Sequence, residues 1–274
     1  ITDVYNAKAQ YDQSITSVIF FQNQIQQRAE TLSQIIGVFT SDLSPFETNI
    51  PLIQPNPANI NDWVNIALQQ NFSLAAARYN MQANLDNISV QRAGHLPVLD
   101  ATGNYQRIIQ GNNGYGDLNQ DQFTGGIEIT FPVYQGGLIV ANTRADEAQY
   151  QQAEANMQVI YRKTVSNTRQ NYKNIISGIQ QLKADKQAIA SAYSSMKSNE
   201  TAFTVGERTI IDVLNSQVTY IDNKRIYSEA LYTYLNSIIA LKQAAGTLGI
   251  GDVLQLNNWL QQQPFTTINQ NKKP

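Results

Sequence analysis

The sequence contains no cysteine and no run of 18 apolar residues. Without cysteine the chain has no disulfides and no thiolate metal sites. No segment is long and apolar enough to predict a transmembrane helix. Because 19 basic and 21 acidic residues give a net charge of −2, the sequence lacks the basic surface that nucleic acid requires, and we expect no nucleic-acid partner.

Histidine is also scarce, and the single one, His95, lies between Gly94 and Leu96 beside a proline. Neither a nucleophile arrangement nor a metal-ligand spacing surrounds it, so a structural role is favoured. We therefore expect no catalytic residues, no metal site and no cofactor, and we predict that the protein is not an enzyme.

A 37-residue segment at the start of the chain recurs 209 positions later. The identities across this offset are Asp3/Asp212, Val4/Val213, Asn6/Asn215, Tyr11/Tyr220, Leu32/Leu241, Gln34/Gln243 and Gly37/Gly246. If the repeat unit is about 209 residues, a chain of 274 residues holds one unit and only the last part of another, which predicts that the sequence is a fragment. A segment comparable to residues 62–209, roughly 148 residues long, is expected to precede Ile1 in the parent protein.

Both copies of the repeat have apolar residues at alternating steps of three and four. The first-copy positions are Val4, Tyr11, Ile15, Val18, Ile25, Ala29, Leu32 and Ile36, and the second copy keeps the period as far as Ala245. This period predicts long helices in coiled-coil packing, each ended by a glycine, Gly37 or Gly246. The tyrosines Tyr220, Tyr227 and Tyr234 are expected to fill the seam between helices.

Two further helices and a connector are predicted between the copies. Residues 38–61 are rich in proline and asparagine and should be non-helical. Asp62 is expected to cap a short helix, and Ser73 to open another that ends near Ala93. Residues 138 to about 203 contain one glycine and no proline, which predicts a helix roughly 100 Å long that pairs antiparallel with the second copy.

Alternation with a period of two predicts a β-hairpin. Apolar residues at 99, 101 and 105 and at 123, 127 and 129 alternate with polar ones, around a glycine- and asparagine-rich turn at 108–121. Strands of about ten residues can cross an outer membrane, although a hairpin on a soluble sheet has the same pattern. With two strands per repeat, a protomer would supply four, and a barrel needs at least about eight, so spanning requires oligomers.

Four segments resemble signature segments of the TolC outer-membrane efflux protein family. They are GHLPVLD at 94–100, FPVYQGG at 131–137, VGERTIIDVL at 205–214 and AAGTLG at 244–249. The resemblance implies a mostly α chain with a β-hairpin, in which long antiparallel coiled-coil hairpins (an α-barrel) join a transmembrane β-barrel in a homotrimer. It also implies a passive exit duct for efflux pumps or type I secretion in the bacterial outer membrane, with its tunnel in the periplasm.

The resemblance assigns regions to the chain. They are the end of the first-repeat tunnel helix (1–37), an equatorial connector (38–61), second-repeat upper helices (62–96), a transmembrane hairpin (97–132), a tunnel hairpin (133–245) with its tip near 204–209, and an equatorial region with the tail (246–274). Pro97 and Pro132 are expected to act as helix–strand swivels. Expected partners are a periplasmic adaptor, an inner-membrane transporter reached through it, and outer-membrane lipid.

The resemblance also implies a gated entrance at the tip. Three copies of Asp212 would form a cation-attracting ring, although the same carboxylate could instead cap the helix that Thr209 opens. The remaining gate residues are Arg208, which could equally be a solvated arginine, Phe203, which replaces a family tyrosine and cannot donate a hydrogen bond, and Asn215, which replaces a second acid. Val205, Gly206, Glu207 and Thr209 are expected to meet the adaptor.

Two questions stay open at this level. An elongated structural or adhesive coiled-coil protein without a pore is the alternative function. Within the family, drug efflux and dedicated protein secretion are indistinguishable, because the inner-membrane partner selects the cargo.

Overall fold

The computed structural model describes residues 2–40, 43–47, 50–110 and 118–260. The elements in these ranges are α1 (Thr2–Ile36), α2 (Ile60–Gln70), α3 (Phe72–Ala93), β1 (Val98–Gln110), β2 (Leu118–Thr130), α4 (Leu138–Thr204), α5 (Ile210–Ala245) and α6 (Ile250–Asn257). The chain is thus mostly helical with a two-stranded sheet, as predicted. No helix in the described ranges is both long and apolar enough to cross a membrane.

The chain divides into two compact units. Unit 1 comprises Ile1–Gln70 and Ser166–Pro274, and unit 2 comprises Asn71–Val165. The core of unit 1 lies where the second half of α4 packs against α5. Its buried members are Ile50, Trp63, Ile175, Ile179, Leu182, Tyr227, Leu231, Tyr234, Leu235, Leu241 and Ala245.

Helices α4 and α5 run antiparallel in unit 1, as predicted. Glu200 of α4 contacts Gln217 of α5, and Tyr193, earlier in α4, contacts Tyr220, later in α5. The predicted seam of α5 is buried at Val213, Tyr227 and at several later positions. Tyrosines therefore fill the seam at 227 and 234, and the half-buried Tyr220 lies against Tyr193.

The end of α5 confirms the predicted glycine cap. Gly246 has the left-handed φ of 71°, and its N–H donates to the carbonyl of Gln243. The N–H of Thr247 donates to the carbonyl of Lys242 at 2.9 Å. This pair of bonds satisfies carbonyls that the helix end would otherwise leave without partners.

Helix α1 is present as predicted and is followed by Gly37 at φ 74°. Its apolar seam, however, is largely uncovered within this chain. Val4 is 69% exposed and Ile25 is 60% exposed, whereas Ala29 is buried. The period therefore predicted the helix correctly, and the described residues leave most of its apolar seam uncovered.

The described part of the connector is non-helical as far as Asn59, as expected from its prolines, and its last two residues belong to α2. Helix α2 begins at Ile60, so Asp62 lies in its first turn and is not the cap that we predicted. The side-chain oxygen of Asn59 instead accepts from the N–H of Asn61 at 2.9 Å. Helix α6, which follows Gly249, has no counterpart among the sequence predictions.

In unit 2, α3 starts one residue before the predicted Ser73. The side chain of Asn71 accepts from the N–H of Leu74 at 2.9 Å and is therefore the N-cap. At the other end of α3, Arg92 forms an ion pair of 2.8 Å with Glu147 of α4.

The hairpin pairs β1 with β2 antiparallel, and its strands are longer than predicted. Each has 13 residues, and the ladder includes residues 108–110 and 118–121, which belong to the predicted turn. The register places Leu99 opposite Ile129 and Tyr105 opposite Phe123. The predicted apolar residues of the two strands therefore share one face of the sheet. The rest of the predicted turn, 111–117, lies outside the described residues.

Candidate functional site at the tip of the α4–α5 hairpin

The turn that joins α4 to α5 is built around Gly206, whose φ is 81°. Its N–H donates to the carbonyl of Phe203 at 3.0 Å, and the N–H of Glu207 donates to the carbonyl of Ala202 at 2.9 Å. These two bonds form a Schellman motif, which ends the helix and requires a left-handed residue at position 206. Glycine takes this conformation without the steric cost that other residues have.

Helix α5 starts with a capping box between Thr209 and Asp212. The Thr209 hydroxyl oxygen accepts from the N–H of Asp212 at 3.3 Å, while the N–H of Thr209 donates to Asp212 Oδ2 at 3.0 Å. The Thr209 hydroxyl also lies 2.9 Å from the same Oδ2 and donates to it. The capping reading of Asp212 is therefore confirmed.

Capping also keeps the Asp212 carboxylate charged. The N–H of Thr209, and after it the Thr209 hydroxyl, lower the pKa of Asp212 below its ordinary value of 3.8, with a further contribution from the positive charge of Arg208. The group is ionised at neutral pH, because hydrogen bonds to a carboxylate favour its charged form. The cap and a negative tip are thus compatible roles for one side chain.

The other predicted gate residues lie within a few positions of this cap in the sequence, at the end of α4 and the start of α5. Arg208 is exposed between the turn and the cap, and Phe203, in the last turn of α4, is 42% exposed. Asn215 is exposed one turn into α5, where its carbonyl accepts from the Thr219 hydroxyl at 2.8 Å. Their contacts with a neighbouring hairpin remain predictions.

The predicted adaptor-contact residues form the exposed surface of the turn. Val205 is 68% exposed, and Gly206, Glu207 and Thr209 are exposed as well. An exposed valine at the end of a coiled coil, two residues before the charged Glu207 and Arg208, is a small apolar contact point. The adaptor contact itself remains a prediction.

A polar rung below the tip links the two helices, and sequence reasoning missed it. Gln217 donates to Glu200 at 3.4 Å, and Lys197 pairs with the same carboxylate at 3.1 Å. The Lys197 hydrogen bond lowers the pKa of Glu200, and the Glu200 hydrogen bond raises the pKa of Lys197. The sequence did carry a signal for this rung. The apolar seam of α5 is interrupted by the polar Gln217, and the first copy of the repeat has a polar residue, Lys8, at the equivalent position.

The two prolines lie at the bases of the strands. Pro97 directly precedes β1, and Pro132 follows β2 by two residues. Beyond Pro132, Val133 and Tyr134 are 86% and 87% exposed. A swivel role for either proline remains a prediction. His95, near Pro97, is exposed, and within the described ranges no group of three or more His, Asp or Glu side chains could hold a metal ion.

Comparison with known proteins identifies the family. A family model described as "Outer membrane efflux protein" matches residues 63–247. The outer membrane protein TolC of Escherichia coli (strain K12) is 34% identical, over 100% of this chain and 57% of its own length. The proteases secretion protein PrtF of Dickeya chrysanthemi is 26% identical, over 96% of this chain and 58% of its own length.

A solved structure has the same fold. The outer membrane protein VceC from Vibrio cholerae aligns with a TM-score of 0.70 at 19% identity, over 90% of this chain and 58% of its own. The chain spans a little over half the length of the curated relatives named above. These relatives are outer-membrane and secretion proteins, so the alternative of a poreless fibre has no support. The chain belongs to the outer membrane efflux protein family and, with it, to the bacterial outer membrane.

Proposed function

We propose that the parent protein is the outer-membrane channel-tunnel of a tripartite efflux pump or a type I secretion system. It is a passive exit duct, gated at its periplasmic tip. The parent assembles as a homotrimer whose hairpins form a β-barrel in the membrane and whose long helices form a tunnel in the periplasm. In this proposal it has no catalytic role and no cofactor, and the energy for export comes from the inner-membrane partner.

The observation that carries the proposal is the apolar face of the hairpin. Leu99 and Ile129 lie opposite each other and are 67% and 70% exposed, and Ile127 is 78% exposed. Strands of 13 residues are long enough to cross a hydrocarbon layer of about 30 Å when tilted. An exposed apolar face backed by a polar one suits a barrel wall between lipid and a water-filled lumen.

The tip supplies the gate in this proposal. Three copies of the charged Asp212 form a ring that attracts cations. Arg208 holds the entrance closed through bonds to the neighbouring hairpin, and Phe203 contributes by packing because it has no hydroxyl. With Asn215 in place of a second acid, binding of multivalent cations is weak.

Opening depends on partners. A periplasmic adaptor contacts Val205, Gly206, Glu207 and Thr209, and an inner-membrane transporter acts through that adaptor. The adaptor can open the tip only if it binds the open form more tightly than the closed form. Outer-membrane lipid surrounds the barrel.

Planar-bilayer conductance of the full-length parent protein tests the proposal. We expect discrete cation-selective channels, with lower cation selectivity in Asp212→Asn, which keeps an acceptor for the capping bonds. Asp222→Asn is the matched control, because Asp222 is an exposed carboxylate farther along α5 and is paired with Arg225 at 2.9 Å. Channels with equal cation selectivity in all three proteins would contradict the Asp212 ring but not the exit duct. Absence of channels would refute the duct.

A further inference from the structure

A partly enclosed cavity of about 160 Å³ lies in unit 1, away from the hairpin tip. Its walls come from connector residues 53–56, from α2 and α4, from the last turns of α5, and from α6 with the residues on either side of it. The apolar side chains that matter here are Ile53, Trp63, Ile238, Leu241, Leu256 and Trp259. The duct proposed above has no use for such a cavity, since its substrates pass through a wide aqueous tube.

Both tryptophans of the sequence line this cavity. The ring of Trp63 is buried and held in place, because its Nε1–H donates to the carbonyl of Pro57 at 2.7 Å. The backbone of Trp259 is tied to the connector, since its carbonyl accepts from the N–H of Glu47 at 2.9 Å. The anchored indole ring of Trp63 and the half-buried ring of Trp259 give an aromatic ligand flat partners for edge-to-face or offset packing.

The cavity wall carries no unbalanced charge. Its charged lining residues are Lys242 and Asp252, and these form an ion pair with each other. Asp252 also accepts from the N–H of Gly249 at 2.9 Å. A charged ligand would gain no free partner there and would lose its hydration, so an uncharged ligand is favoured.

The volume sets the size of the ligand. An apolar cavity of about 150 Å³ lined by Leu, Ile and Phe is large enough to bind benzene. We propose that the Trp63–Trp259 cavity is a binding site for small, uncharged, single-ring aromatic molecules. The side-chain amides of Gln54, Asn56 and Gln255 at its wall accommodate one polar substituent on such a ring.

The two tryptophans provide the assay. Iodobenzene quenches tryptophan fluorescence on contact through its heavy atom, and toluene competes without quenching. We expect saturable quenching of the full-length parent protein by iodobenzene, reversed by toluene. The Trp63→Phe/Trp259→Phe double variant measures the quenching that comes from tryptophans elsewhere in the parent and from partition into detergent.

Two leucines of α6 give matched variants. Leu256 lines the cavity, whereas Leu254 is 58% exposed and does not. Leu256→Phe fills the space and should weaken iodobenzene binding by at least about tenfold, while Leu254→Phe leaves it unchanged. Leu248→Phe, at a lining residue that is 40% exposed, repeats the filling test at a site where a larger side chain is easily accepted.

The result that overturns the proposal is equally direct. Quenching that rises linearly with iodobenzene, ignores toluene, and is the same in the Leu256→Phe, Leu248→Phe and Leu254→Phe proteins would show partition into detergent and a cavity that admits no ligand. Circular dichroism establishes that each variant is folded before binding is measured. Channel conductance is recorded in parallel, so a failure of the duct is distinguishable from a failure of this site.

Discussion

Tyr234 of α5 and Ile53 of the connector exchange two hydrogen bonds. The Tyr234 hydroxyl donates to the carbonyl of Ile53 at 2.9 Å and accepts from its N–H at 2.8 Å. The Tyr234 side chain is only 1% exposed, so both bonds lie at the edge of the core. A residue of the helical seam therefore satisfies both backbone groups of a connector residue 181 positions away.

Tyr234→Phe should destabilise unit 1 by about 1–3 kcal/mol, because it leaves the N–H and carbonyl of Ile53 without their partner. The change keeps the ring and therefore creates no cavity. Urea unfolding followed by circular dichroism measures the loss. Tyr232→Phe is the control, since Tyr232 is 45% exposed and its ring contact with Phe46 survives the change. Equal losses in the two variants would contradict the role of the Tyr234 hydroxyl.

Gly178, the one glycine inside α4, faces the same tyrosine. An added Cβ would lie 3.4 Å from Tyr234 Cβ and 3.5 Å from its Cδ2, which is ordinary van der Waals contact. Gly178→Ala should therefore stabilise the helix by up to about 1 kcal/mol through helix propensity. Gly178→Leu should instead destabilise by about 1–3 kcal/mol through overpacking. The same urea measurement tests both, and destabilisation by alanine would mean that the helices pack more closely here.

Periodicity in the sequence predicted what depends on local spacing. The 3.5-residue period of the repeat predicted α1 and α5, and strict alternation predicted which residues share a face of the hairpin. Gly206 and Gly246 were identifiable because a helix end often needs a left-handed residue that glycine adopts readily.

Other features depend on partners that spacing does not specify. Asn71 and Ser73 are both capping residue types two positions apart, so composition alone could not choose between them. The hydrogen-bond partner of Tyr234, Ile53, lies far away in the chain. The apolar period predicts that the tyrosine ring is buried, but it does not predict what the hydroxyl binds. The Lys197–Glu200–Gln217 rung was missed for the same reason, since polar residues interrupt a seam without indicating what they bind.

Thr209→Ala should destabilise the start of α5 by about 1 kcal/mol, because it removes the side-chain partner of the Asp212 N–H. The loss should be local, as faster hydrogen exchange in the first turn of α5 at neutral pH. Thr219→Ala is the control: the Thr219 hydroxyl bonds the carbonyl of Asn215 within the same helix but caps nothing. Unchanged exchange in Thr209→Ala would contradict the capping box.

The Asp212 cap should weaken at acid pH. Its folded-state pKa is lowered from 3.8, so the stabilisation is fully present above 3.8 and is lost as pH falls through the lowered pKa. The difference in Tm between the natural protein and Asp212→Ala should therefore be constant from neutral pH to about 5, and shrink below 3.8. A difference that persists unchanged to pH 2 would show that the Asp212 charge does not contribute.

The two faces of the hairpin should respond oppositely to a lysine. Ile127 lies on the apolar face opposite Ala101, and Thr124 lies on the polar face opposite Asn104. If the apolar face meets lipid, Ile127→Lys places a charge in hydrocarbon and should destabilise the folded, membrane-inserted protein by about 2–4 kcal/mol. Thr124→Lys faces water in the lumen and should cost little. Folding into lipid vesicles across a urea series measures both values. Similar small costs would mean that neither face is in lipid, and a larger cost for Thr124→Lys would mean that the assignment of the faces is reversed.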